Sequence, residues 1–235
     1  MNSFNILFRM QSFIVQSVKE IRNNLKGKEW RIRNRIPYLK FREIEIFNEI
    51  LKKLKPSSIL EWGAGFSTLQ FPGLLDYPFK WRSIEHDEEW YLQLLEMNQN
   101  PDVEIILKKH NQHPYSDEHG DGSYKDFADY IEAPDDGRKY DFIIIDGRAR
   151  NECLLKAMKI INEGGIILLH DANRKRYHTF LNKFKYSAIF LDYRHSAGGI
   201  WIGSNSRDLA EIIDIRKHQR RWSLVRNKAT KILSI

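Results

Sequence analysis

Cysteine is almost missing from this sequence: Cys153 is the only one among 235 residues. That excludes a disulfide framework and a cysteine-rich zinc site, and it agrees with a reducing compartment. No apolar run approaches the ~18 residues that a membrane-spanning helix needs. The apolar N-terminal stretch is interrupted by Arg9 and Gln11 and lacks a small-residue cleavage signal, which argues against a secretory leader. No Gly-Lys-Ser/Thr occurs, so there is no P-loop. There is no internal repeat. What remains is 42% hydrophobic and 29% charged, the balance of a globular chain with a real core. At this length one domain with terminal extensions is expected.

Positive charge is abundant but unevenly placed. Residues 1–42 hold ten Lys/Arg against two acids, and residues 207–235 hold eight against three. The stretch between them carries twenty Lys/Arg against twenty-six acids, so basic ends flank a mildly acidic body. Such a pattern points to a polyanionic or anionic-membrane partner for the ends rather than to a uniformly basic nucleic-acid binder. Phe4, Leu7, Phe8, Phe13, Ile14, Val18 and Ile21 recur at helical spacing within residues 4–25, with lysines and arginines following. This helix could lie on a membrane surface, or pack on the body or a second subunit. A second basic helix is expected over 206–233. The domain division is therefore 1–38, 39–205 and 206–235.

The body is organised around Ser57–Thr68 (SSILEWGAGFST). A short apolar strand ends on Glu61 and runs into Gly63-Ala64-Gly65, and Ser67-Thr68 open a helix. Two close glycines between a strand and a helix bring bare backbone and helix-start amides up to a ligand. The third glycine of a dinucleotide fingerprint is absent. About twenty residues on, WRSIEHD (81–87) reads as a second strand whose tip, Glu85, is placed to accept hydrogen bonds from a ribose diol. Two further apolar strands end on charge: YDFIIIDGRAR (140–150) on Asp146, and GGIILLHDANR (164–174) on His170-Asp171.

With these segments in view, the chain resembles the class I S-adenosylmethionine (AdoMet)-dependent methyltransferases over roughly Ser57–Gly203. The Asp146–Arg150 and His170–Arg174 segments also resemble, more distantly, glycan O-methyltransferases that act on xylan glucuronic acid. The resemblance implies a doubly wound, Rossmann-like α/β sheet, mostly parallel with an antiparallel last strand and helices on both faces. It implies AdoMet as cofactor, held by Glu61, Gly63, Ala64, Gly65, Ser67, Thr68, Glu85 and Asp146. Asp146, His170 and Asp171 are the catalytic candidates, since a hydroxyl acceptor must lose a proton. Arg148, Arg150 and Arg174 are candidate substrate contacts, because guanidinium groups suit a uronate or phosphate. Some metal-dependent O-methyltransferases carry an acid after the fourth strand and an Asp-Asn pair after the fifth. Here Ala172 follows Asp171 and Asn173 comes one later, so a divalent metal stays open and no metal ligand is assigned.

The resulting expectation is a cytoplasmic O-methyltransferase acting on a glycan or small anionic acceptor, attached reversibly to the inner membrane surface, with a homodimer through the terminal helices as the competing use of those helices. An RNA methyltransferase and a non-catalytic interaction module are the alternatives. No Asn/Asp-Pro-Pro-Tyr/Phe stretch and no Pro-Cys nucleophile supports a nucleic-acid base as acceptor. Along the rest of the chain, helices are expected at 39–54, 66–75, 88–98, 124–132, 150–162 and 174–184. Strands are expected at 103–109, 166–169, 187–193 and 199–203, with Gly164-Gly165 as a helix stop. WRIRNRIP (30–37) is expected as a linker or a strand beside the substrate. The histidine-rich tract 110–123 is expected as an exposed loop over the cleft, and Cys153 as core.

Overall fold

A computed structural model describes Val18 and residues 28–117, 119–191, 197–223 and 230–232. The amphipathic segment 4–25 therefore lies outside the described residues except for Val18. Eight strands form one sheet in the order β3-β2-β1-β4-β5-β7-β6-β8. They are β1 (Ser58–Trp62), β2 (Lys80–Glu85), β3 (Val103–Leu107), β4 (Tyr140–Ile145), β5 (Ile161–His170), β6 (Tyr186–Phe190), β7 (Ile200–Ser204) and the short β8 (Thr230–Ile232). The first five pair parallel, and β7 runs antiparallel between β5 and β6. The expected mostly parallel sheet with an antiparallel strand at its end is what forms. β4 and the second half of β5 are unbroken apolar runs because both sheet faces are covered by helices and turns. Phe142, Ile143, Ile144, Ile145, Ile166, Ile167, Leu168 and Leu169 are all buried.

The helices are α1 (Lys28–Arg33), α2 (Phe41–Leu54), α3 (Phe66–Gln70), α4 (Glu88–Met97), α5 (Tyr124–Glu132), α6 (Arg150–Ile160) and α7 (Ile215–Ser223). The 3.6-residue spacing of Ile46, Phe47, Ile50 and Leu51 gives α2 one apolar face, and all four are buried against Phe71, Phe142 and their neighbours. Each such side chain contributes about 1.5–3 kcal/mol of burial. Helix α4 starts where Asp87 accepts a hydrogen bond from the Trp90 amide at 2.9 Å, the N-cap that an acid before an apolar run supplies. Cys153 on α6 is fully buried.

Four expectations need correction. Residues 30–33 of the expected linker or strand belong to a helix, Lys28–Arg33, although Pro37, Tyr38 and Leu39 do reach the cleft. Gly164-Gly165 do not stop a helix: α6 ends at Ile160, and Ile161 already pairs with Tyr140. The glycines form a bulge, Gly164 at φ +76°, that lets the strand rejoin β4 at Phe142–Ile166. Residues 175–183 form a 3₁₀ segment rather than an α-helix. The basic tail is not one helix. A 3₁₀ turn at Leu209–Glu211 precedes α7, and β8 follows.

Four apolar residues of the described part of that tail pack on the body. Leu209, Ile212, Ile213 and Trp222 are buried in the main core. Polar contacts fix α7 on α2: Glu49 accepts from the Asp214 amide at 2.9 Å, His218 Nε2 lies 2.8 Å from Glu49 Oε2, and Arg221 pairs with Glu45. No helix among the described residues is long and apolar enough to cross a membrane.

Candidate active site

Strand order reverses between β1 and β4, and a ligand crevice opens at the carboxyl ends of strands at such a switch point. The loop after β1 is built for close approach. Gly63 sits at φ +95°, and a Cβ there would lie 2.6 Å from backbone atoms of Asp146 and Gly147. Its amide donates to the Ile84 carbonyl at 2.9 Å, tying the loop to β2. Beneath the loop lies Glu61, fully buried. Its carboxylate accepts from Ser67 Oγ at 2.5 Å, Thr68 Oγ1 at 2.6 Å, Ser83 Oγ at 2.7 Å and Trp81 Nε1 at 3.0 Å. Thr68 Oγ1 in turn accepts from the Gly65 amide at 2.9 Å. Burial pushes the Glu61 carboxyl up, against the pull of these four donors. Glu61 and Thr68, expected to touch the cofactor, instead brace the glycine turn from below and do not line the cleft. The reason is that both are fully enclosed between β1, β2 and α3.

The cleft has a volume of about 450 Å³. Gly63, Ala64, Gly65, Ser67, Glu85 and Asp146 line it, as the sequence suggested. Glu85 Oε1 accepts the amides of His86 and Asp87, both at 2.8 Å. His86 Nδ1 also lies 2.7 Å from that oxygen, off the hydrogen-bonding direction. Oε2 carries no bond from the described residues and is left for a ligand at the tip of β2. An aromatic wall, which no motif indicated, closes one side. Tyr38 stacks on Phe66 at 6.0 Å, Phe66 meets Trp90 edge-on at 5.4 Å, and Trp90 Nε1 donates to the Ala64 carbonyl at 2.9 Å.

No protein-family model matches the sequence, and no curated protein matches it. Solved structures do. A putative caffeoyl-CoA O-methyltransferase from Staphylococcus aureus aligns at 16% identity and a TM-score of 0.51, covering 80% of this chain and 98% of that one. An O-methyltransferase from Bacillus cereus, solved in complex with SAH, aligns at 17% identity and a TM-score of 0.50, covering 67% of this chain and 79% of that one. The chain has the class I methyltransferase fold. Identities this low establish the fold and leave the chemistry to the residues of the cleft.

In a class I methyltransferase fold the tips of β4 and β5 stand beside one another, and here they gather six charges. Asp146 lines the cleft, whereas His170 and Asp171 lie behind it and are buried. His170 Nδ1 is 2.8 Å from Asp146 Oδ1, and Nε2 is 3.3 Å from Oε2 of Glu43 on α2. Glu43 also accepts from the amides of Lys40 at 2.7 Å and Gly199 at 2.8 Å. Burial would lower the His170 pKa, but Asp146 and Glu43 overcome it and raise it well above the usual value. A carboxylate at each ring nitrogen favours the protonated form of His170, which works against the proton-acceptor role that the sequence proposed. Asp171 accepts from the Gly198 amide and pairs with Arg150 and Arg174. Burial opposes its charge, yet His170, Arg150, that amide and Arg174 hold its pKa at about 2.

Of the three arginines, Arg148 and Arg174 are partly exposed at the cleft, and Arg148 donates to the Gly120 carbonyl at 2.7 Å. Arg150 touches the lining but is mostly buried, donating to the carbonyls of Gly147 at 3.0 Å and His170 at 2.8 Å. Asp121 is a cleft residue that sequence reasoning missed. Its carboxylate accepts from the buried Tyr177 hydroxyl at 2.8 Å and from the Arg150 amide at 3.3 Å. It belongs to the polar tract expected over the cleft, but nothing local marks it. Its place is fixed by the Ala149 amide, which donates to the Asp121 carbonyl at 2.8 Å.

Proposed function

We propose that this protein is an AdoMet-dependent O-methyltransferase acting on a glycan or a small anionic acceptor. The observation that carries the reading is the bare-backbone turn at Gly63, pressed on Asp146-Gly147 and facing the Glu85 carboxylate across one cleft. The group fits this site: the turn admits no Cβ, and Glu85 Oε2 can accept from a ribose hydroxyl. When bound, AdoMet supplies an electrophilic methyl group on a sulfonium.

The chain's own residues do the rest. Glu85 and the turn fix the cofactor's place, and the Tyr38–Phe66–Trp90 wall keeps water from one side. Asp146 and Asp121 are the carboxylates that can take the acceptor hydroxyl's proton. Asp146 lies against His170 and Arg150, and Asp121 is bonded by the Tyr177 hydroxyl and the Arg150 amide. Arg148 and Arg174 hold an acidic group on the acceptor. Isothermal titration of the full chain with AdoMet tests the cofactor reading. Binding is expected, and Glu85→Ala is expected to weaken it by about 1–3 kcal/mol, the cost of losing a buried hydroxyl's acceptor. A chain that takes up no AdoMet, or a variant that binds as well as the parent, sinks the proposal.

We also propose reversible attachment to the inner, cytoplasmic membrane surface through the basic apolar segment 4–25, which would put a lipid-linked glycan within reach. Of the C-terminal basic segment, Leu209, Ile212, Ile213 and Trp222 are buried in the body, which leaves these four unavailable to a membrane. Flotation with anionic vesicles at low salt is expected to carry the full chain upward, and removing residues 1–28 to abolish it. Equal flotation of both forms would dismiss the anchor.

A further inference from the structure

Asp146, His170 and Asp171 offer one ligand atom each, all within 4.8 Å of one another. Two carboxylates and an imidazole at that spacing are a donor set for a divalent ion. In this fold, however, each of the three is already engaged by a fixed charge. Arg150 spans the two acids, Nη2 at 3.2 Å from Asp146 Oδ1 and Nη1 at 3.2 Å from Asp171 Oδ2. Arg174 Nη2 stands 3.1 Å from the same Asp171 oxygen. Both ring nitrogens of His170 face carboxylates, Asp146 on one side and Glu43 on the other.

A divalent ion placed between Asp146 and Asp171 would have to displace Arg150. That guanidinium is also held by the Gly147 and His170 carbonyls at 3.0 and 2.8 Å.

We infer that the Arg150 guanidinium occupies the place a divalent cation would take between Asp146 and Asp171, so that this cleft carries its positive charge in side chains and works without a metal. The inference does not depend on AdoMet, because it is read in the absence of any cofactor.

Manganese(II) titrated into the full chain and followed by electron paramagnetic resonance tests it. The parent is expected to leave the free-ion signal unchanged, and magnesium is expected not to shift its melting temperature. Arg150→Ser, checked for folding by circular dichroism, is expected to gain one manganese site per chain, and adding Asp171→Asn is expected to remove it. Stoichiometric manganese binding by the parent that Asp171→Asn abolishes would overturn the inference, as would a folded Arg150→Ser chain that gains no site. Should Arg150→Ser not fold, the parent titration alone decides.

Discussion

A chain carrying alanine in place of Gly63 is expected to bind no AdoMet measurably and to melt several degrees lower than the parent. Two independent costs meet at this position. At φ +95° a side chain strains the backbone, a cost of about 1–3 kcal/mol. The added Cβ would also stand 2.6 Å from backbone atoms of Asp146 and Gly147, which have no flexible end to swing aside. The β1 and β4 loops must then separate, and they form the floor of the cleft. For a domain of this size each kcal/mol lowers the melting temperature by about 2–4 °C. Gly73→Ala is the control, because a Cβ there has open space and no positive φ is involved. Differential scanning calorimetry and AdoMet titration of both variants check the claim. If Gly63→Ala behaves like Gly73→Ala, the close approach of the loops has no role in binding.

The second large effect is at His170. Replacement by glutamine leaves the carboxylates of Glu43 and Asp146 buried or half-buried without their shared cation. Breaking a buried pair in this way costs about 3–5 kcal/mol. The signature lies in the pH dependence. The folded pKa of His170 is raised above its ordinary 6.5, so the stability it contributes is complete below that value and is lost as pH rises through the raised one. On the acid side the signs reverse. Glu43 is lowered from its ordinary 4.5: burial resists the charge, but His170 and the Lys40 amide prevail. Asp171 is lowered from 3.8 to about 2. Their contributions are present above 4.5 and 3.8 respectively and fade as the solution is acidified through the lowered values. Urea unfolding from mildly acidic to alkaline pH should show the parent losing stability on the alkaline side and His170→Gln losing less. Parallel curves for the two proteins would show that His170 is not charged in the folded state.

β1, β4 and β5 were readable because each is a short apolar run with a charged residue at its tip, the form of a strand buried on both faces. The glycine turn was readable because only glycine tolerates the φ of residue 63. Where the reading failed, partners lie far apart in the chain. Glu61 looks like a ligand contact until Trp81 and Ser83 come from the next strand to bond it. His170 looks like a base until Glu43, 127 residues earlier, supplies the second carboxylate. Asp121 acquires a role only when Ala149 and Tyr177 fix it in place. The tail read as one long basic helix because the core partners of Leu209, Ile212, Ile213 and Trp222 lie far back in the sequence. The start of β5 was hidden for a local reason, since Gly164-Gly165 make a bulge as readily as a helix stop.

The docking of α7 on α2 also sets an order of events during synthesis. Helix α2 leaves the ribosome first among the long helices of the described residues, yet Glu49 must wait 165 residues for the Asp214 amide and 169 for His218. At about 5–20 residues per second, the nascent chain spends many seconds with that flank of α2 open to water. The same helix brings Glu43 to His170, so every residue of the charged cluster and of the cleft is synthesised before α7, and a ribosome-stalled product lacking residues 215–223 would carry them all on an unbraced α2.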